Sequence, residues 1–236
     1  MGLAQSLEAL STAPPETDAV VNDEEALFAL WETSRAAVKR LLPPPLCPGR
    51  RPLALAMVTR YPWTNTGPVY REAALAVRAE AQGQEGFYFL AMPVTDNVGL
   101  IYGRESLGYP KKIADIAFHR RPGLVEGWVE RHGVRNFAVD AWLTGSLDAP
   151  DAESALDETF DAATGPVAML AFSFKYCLAP TLEGFDYPPR LVCEELAFWP
   201  SVIEQGQARA ARVRQASGDR PATGQTRRTV VGRARR

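Results

Sequence analysis

The chain has 236 residues, a formal net charge of −2 and 46% hydrophobic residues, which suits one large domain with a real core. No run approaches the roughly 18 apolar residues needed to span a bilayer, and the N-terminus lacks the basic start and apolar stretch of a signal peptide, so a cytoplasmic protein is expected. Three cysteines without CxxC spacing (Cys47, Cys177, Cys193) argue against a disulfide framework, and two histidines (His119, His132) leave few candidates for a His-rich metal site or a Ser-His-Asp triad.

Residues 1–20 mix small, acidic and proline residues without a sustained period and read as a flexible leader. Over 24–42, Leu27, Leu30, Trp31, Val38, Leu41 and Leu42 fit one helical face, so periodicity alone predicts a helix. Residues 52–61 read as a strand and 64–68 as a turn. The stretch 69–81 is rich in Ala, Arg and Glu, which propensity assigns to a helix. Read instead as a strand, it places Tyr70, Glu72, Ala74 and Ala76 on one face, a carboxylate beside two small side chains that leave room for a ligand. Residues 82–86 suit a hairpin turn and 87–94 a buried strand. Asp96 is then an N-cap candidate for a short helix through Leu100, Ile101 and Tyr102.

Three strand-like runs follow, 113–118, 124–130 and 135–143, separated by Arg-Pro-Gly and His-Gly turns as in an antiparallel meander. Residues 146–164 are acidic and rich in small residues, which suits a solvated loop or short surface helix. The strand pattern resumes at 167–178 and 190–198. So many short strands between Gly and Pro turns predict a mainly β domain over 21–206, its sheet closed or packed on itself. The tail, 207–236, holds nine arginines and one acid, Asp219, a local charge of +8. It carries no aromatic residue for base stacking, so it reads as disordered and nucleic acid is not the expected partner.

The run 103–112 carries the chemistry: Gly103, Arg104, Glu105, Ser106, Leu107, Gly108, Tyr109, Pro110, Lys111, Lys112. Pro110 stiffens the backbone ahead of two lysines, which is how an amine is aimed. Taken alone, such a pair after Tyr-Pro is usually a solvated turn. A lysine becomes a nucleophile only when neutral, a state that burial or a neighbouring cation favours, and the free amine then attacks a ketone carbonyl.

Arg104, Glu105, Tyr109, Pro110, Lys111 and Lys112 together resemble the Arg-Glu-x-x-x-Tyr-Pro-Lys-Lys signature of the acetoacetate decarboxylase family, and Tyr70 with Glu72 resembles its Tyr-x-Glu at matched separation. The resemblance covers residues 24–203 and is most specific over 70–112. It implies a cone-like closed antiparallel β-barrel with a few short helices and a pocket inside. It divides 24–42 into a strand over 26–32 and a helix capped by Ser34, and makes 69–81 a strand. It also implies a Schiff-base lyase that decarboxylates a small β-keto acid, with no cofactor and as a homo-oligomer. Lys111 takes the place of the imine-forming lysine, and Glu72 that of a proton-transferring carboxylate. Lys112, Tyr109, Arg104 and Glu105 support the segment, the last two as an ion pair that would be costly to break if buried. On its residues alone, Glu72 is better read as an exposed glutamate pairing with Arg71 or Arg78.

Two positions depart from the pattern. Decarboxylating members have an arginine at the head of the first strand and a second glutamate before Tyr-x-Glu, where this chain aligns Glu24 and Met57. A Schiff-base aldolase or dehydratase acting on pyruvate-like or longer keto acids is therefore the alternative reading, and a barrel that binds a ligand without turnover is a second.

Overall fold

The computed structural model describes residues 21–65, 69–145, 167–181, 183–198 and 207–209. A two-residue strand β1 (Val21–Asn22) leads into strand β2 (Glu25–Glu32) and helix α1 (Arg35–Leu41). The single helix predicted by periodicity over 24–42 is thus split. The physical reason is that β2 is buried on both faces: Ala26, Phe28 and Leu30 join one core cluster while Leu27 and Ala29 join another. A strand sandwiched in this way shows a nearly continuous apolar run, which a helical template also fits. Ser34 ends the strand and starts the helix, its hydroxyl accepting the Ala37 N–H at 3.1 Å.

A short β3 (Cys47–Pro48) precedes β4 (Leu53–Tyr61), β5 (Trp63–Thr64), β6 (Tyr70–Ala81) and β7 (Gln84–Val94). The alanine-rich stretch is a strand. Its alanines Ala73, Ala74, Ala76, Ala79 and Ala81 are all buried, on both faces, so packing between layers overrides helix propensity. In β7 one extra residue opposes the Leu75/Ala76 step of β6. That bulge changes the parity of β7, so Phe87, Phe89 and Met92 all join the cluster that contains Ala74 and Ala76.

Helix α2 (Asn97–Ile101) runs into a π-helical turn (Tyr102–Ser106), and the chain returns as β8 (Lys111–Ile113). The predicted meander is present as β9 (Asp115–Arg121), β10 (Leu124–Arg131) and β11 (Val134–Trp142), followed by β12 (Val167–Lys175), β13 (Arg190–Phe198) and β14 (Gln207–Arg209). Eight strands form one sheet, ordered β13-β12-β7-β6-β4-β2, with β3 on β6 and β8 on β7; a second sheet runs β14-β11-β10-β9. Leu27, Ala29, Ala56, Val58 and Ala73 of the large sheet pack against Ile116, Val125, Val129 and Val139 of the small one. The opposite face of the large sheet gathers residues from β2 through β12 into a single cluster that also holds Tyr109.

The expected closed barrel is not what forms. A barrel requires every strand to have two partners, whereas among the described residues β2 pairs only with β4, and β13 only with β12. The meander strands, which a ring would have used, break away after Ala114 and build the second layer instead. Of the basic tail, Gln207–Arg209 pairs with β11; its remainder, the leader 1–20 and the acidic stretch 146–164 lie outside the described residues. No helix among the described residues is long and apolar enough to cross a membrane.

Candidate active site

The loop that delivers Lys111 is tied at several points. Asp96 caps α2, its Oδ1 accepting the N–H groups of Val98 at 2.7 Å and Gly99 at 3.2 Å. The wider π-helical turn follows directly, and it is closed by Tyr109 N–H to Gly103 O at 3.0 Å and Gly108 N–H to Arg104 O at 3.2 Å. Gly108 has φ +75°, and a Cβ there would lie 2.7 Å from the backbone of Phe174 and Lys175, so only glycine fits against β12. The Ser173 hydroxyl of β12 donates to Leu107 O, a second anchor. Lys111 N–H then bonds Tyr109 O at 2.7 Å in a tight turn centred on Pro110.

Beyond that turn Lys111 pairs in register with Met92 of β7 and Lys112 with Pro93. Lys111 is 7% exposed and Lys112 is exposed, the outcome of alternation along an extended segment. The Lys111 amine donates to Oε2 of Glu72 at 2.6 Å, and this pair is buried. Glu72 projects from β6, two strands away; in register it stands beside Thr59 and Val94, on the same face as Ala74, whose small side chain leaves space for the long lysine. The other possible partners of Glu72 are elsewhere: Arg78 bonds Glu85 at 2.7 Å, and Arg71 is exposed.

Gly103 is shaped by the lysine. A Cβ at this position would stand 2.3 Å from Lys111 Cε and 2.9 Å from its Nζ. Gly103→Ala is therefore expected to push the amine off Glu72. Since a misplacement of about 1 Å can cost roughly 10²-fold in rate, imine trapping should slow by about that factor, while overpacking costs only about 1–3 kcal/mol of stability. Rapid-quench trapping beside a denaturant melt checks both; an unchanged trapping rate would show that the lysine tolerates displacement.

Further acidic and phenolic groups converge here: Glu24, which the sequence marked only as a departure from the family pattern, and Tyr61 and Glu194, which it did not single out. Glu24 is 8% exposed and its Oε1 has no hydrogen-bond partner. Burial first, and the charge of Glu72 second, push its carboxyl up to about 8. Burial, then the charges of Glu72 and Glu24, hold the Tyr61 phenol well above its usual range, and its ring lies 4.8 Å from that of Tyr70. On the other side, Tyr109 donates its O–H to Glu194 of β13 and sets its ring edge-on to Phe89 at 5.5 Å. Burial raises the Glu194 carboxyl, while Tyr109 and the charge of Lys111 pull it down. Glu194 was legible as an acid on the inward phase of a strand only once β13 was known.

Met57 is buried between Phe28 of β2 and Ala74 of β6 in register, in the apolar floor of the site. Arg104 and Glu105 are not a buried pair: their side chains meet at 3.3 Å but are 55% and 64% exposed, so the contact contributes little. Among the described residues, no group of three or more His, Cys, Asp or Glu side chains is placed to hold a metal ion.

The sequence pattern described as acetoacetate decarboxylase matches residues 6–188 of the chain. The chain belongs to the acetoacetate decarboxylase family. An acetoacetate decarboxylase of Burkholderia mallei (strain NCTC 10229) is 32% identical over 182 residues, covering 77% of this chain and 67% of that protein. A "CLA biosynthesis isomerase" of Lactiplantibacillus plantarum is 28% identical over 210 residues, covering 86% and 72%. In fold, the chain is similar to the acetoacetate decarboxylase of Legionella pneumophila (TM-score 0.67, 14% identity, 99% and 96% covered). It is also similar to the enduracididine biosynthesis enzyme MppR complexed with pyruvate (TM-score 0.61, 18% identity, 98% and 90% covered). MppR has also been solved with the condensation product of pyruvate and imidazole 4-carboxaldehyde (TM-score 0.56, 18% identity, 83% and 76% covered). As an acetoacetate decarboxylase-family member the chain is an enzyme of the lyase kind.

Proposed function

We propose that the protein is a Schiff-base lyase whose Lys111 forms an imine with a small keto acid. The observation that carries this reading is the buried 2.6 Å contact between the Lys111 amine and the Glu72 carboxylate, above an apolar floor that includes Met57 and Ala74. In the reaction the amine attacks the ketone carbon, a proton passes from nitrogen to Glu72, and water leaves as the C=N bond forms. The iminium then accepts the electron pair of a breaking C–C bond, giving an enamine. Protonation of its carbon and hydrolysis return the free amine. With a β-keto acid the departing group is carbon dioxide.

A second reading, condensation or dehydration through the same enamine, is favoured by one observation. Where a cation would hold a substrate carboxylate in line, the head of β2 presents Glu24, and Met57 is apolar; Arg60 is turned to Glu25 at 3.5 Å and Arg71 is exposed. Decarboxylation needs the scissile bond held along the iminium π system. Acetoacetate is therefore expected to form the imine yet release carbon dioxide slowly, and pyruvate with an aldehyde to turn over faster. The test measures both products from one preparation after borohydride trapping has established the adduct. Rapid carbon dioxide release without condensation restores plain decarboxylation, and no adduct with any keto acid leaves a ligand-binding protein.

A further inference from the structure

Glu24 is unused by the chemistry above, yet one of its buried carboxyl oxygens has no partner. It immediately precedes β2, and continuing the strand's alternation and the Glu25–Arg60 register sets it on the side of Ala26 and Phe28, opposite Tyr61. More than nine-tenths of the residue is removed from solvent, and one carboxyl oxygen meets no donor or acceptor. A buried polar atom without a partner is costly, and such atoms persist where a ligand completes them. The groups facing it are Glu72 and Tyr70 from β6 and Tyr61 from β4, none of them cationic; Lys111 is already engaged by Glu72. A negative charge on Glu24 would therefore be repelled by Glu72, while a neutral Glu24 is a free hydrogen-bond donor.

We propose that Glu24 sets which carbonyl compounds the site accepts: the neutral acid donates a hydrogen bond to the carboxylate of a keto acid, and the ionised form turns that carboxylate away while leaving neutral ketones unaffected. This rests on the reading of the site as one that takes small carbonyl compounds. It follows that keto-acid binding is linked to a proton. The carboxyl loses that proton at about pH 8, so keto-acid affinity should fall above that pH, towards tenfold per unit, relative to a neutral ketone. Using a ratio of two ligands cancels the pH dependence of the imine-forming step that both share.

The experiment titrates the full chain calorimetrically with pyruvate and with hydroxyacetone on either side of pH 8. In the wild type the pyruvate-to-hydroxyacetone affinity ratio should drop as pH rises. In Glu24→Gln, which keeps an N–H donor and cannot ionise, it should stay flat. Folding of the variant is checked in the same buffers. Because the carboxyl is raised from 4.5 to about 8 by folding, wild-type stability should decline across that interval, and the decline should vanish in the variant. A flat ratio in the wild type, an equal drop in Glu24→Gln, or no measurable pyruvate binding overturns the assignment. Borohydride reduction in parallel reports the imine separately. Absence of an adduct overturns the lysine chemistry, while the affinity ratio still decides the role of Glu24.

Discussion

Lys111→Met is expected to abolish the borohydride-stable adduct and all turnover, whereas Lys112→Gln should keep both. The two lysines are neighbours with the same side chain, so the difference is purely one of placement. Lys111 is buried against Glu72 and Gly103, while Lys112 faces solvent. No neutral substitute at 111 supplies a nucleophilic nitrogen, and the chemistry has no alternative start. Loss of the lysine has a structural cost as well, because it strands the Glu72 carboxylate; removing one partner of a buried pair typically costs about 3–5 kcal/mol. The double variant Lys111→Met/Glu72→Gln removes that stranded charge and should regain most of the lost stability while staying inactive. Mass spectrometry of the reduced adduct, with chemical melts of all three variants, separates chemistry from folding. An adduct mapped to Lys112, or one that survives in Lys111→Met, would overturn the assignment.

The strands were legible where one face of a sheet meets solvent or a turn is marked, as in 113–143, whose three runs and two turns reappear as β9, β10 and β11 within a few residues. They were illegible by pattern where both faces are buried. In β2 the two phases, Ala26–Phe28–Leu30 and Leu27–Ala29–Trp31, are equally apolar and face different layers. In β6 close packing selects alanine, which is also the best helix former. The likeness to a family signature corrected both elements, and it also suggested the barrel. Closure depends on whether two edge strands pair, and no pattern within either edge strand encodes that.

The site shows the same division. The run 103–112 is local in sequence, so its aiming of Lys111 was readable, and Glu72 was readable from its spacing to it. Glu24, just before β2, and Glu194 of β13 belong to opposite ends of the large sheet, and only the fold brings both within reach of the charge of Glu72. Arg104 and Glu105 show the converse: a charged pair inside a signature invites a buried-network reading, but adjacent residues on an exposed turn have nothing to bury them.

Glu72→Gln is expected to lower turnover by about 10²- to 10⁴-fold, the usual cost of removing a positioned acid or base, without preventing imine formation. The amide has the same shape and can still bond the Lys111 nitrogen from the distance that Glu72 Oε2 holds, 2.6 Å. What it lacks is the capacity to take and return a proton. Imine formation and enamine protonation depend on it unequally. In the first, the amine attacks a carbonyl and is no longer held in an ion pair with β6, so trapping by borohydride should persist. In the second, a proton must reach carbon, and the other acids that feel the charge of Glu72, namely Glu24 and Glu194, make no hydrogen bond to the amine. The expected signature is thus a trapped adduct accompanied by slow product release from the enamine. Single-turnover kinetics beside adduct mass measure the two steps separately. A Gln variant that forms the adduct and completes turnover at the wild-type rate would reduce Glu72 to a counter-ion that only holds Lys111 in place.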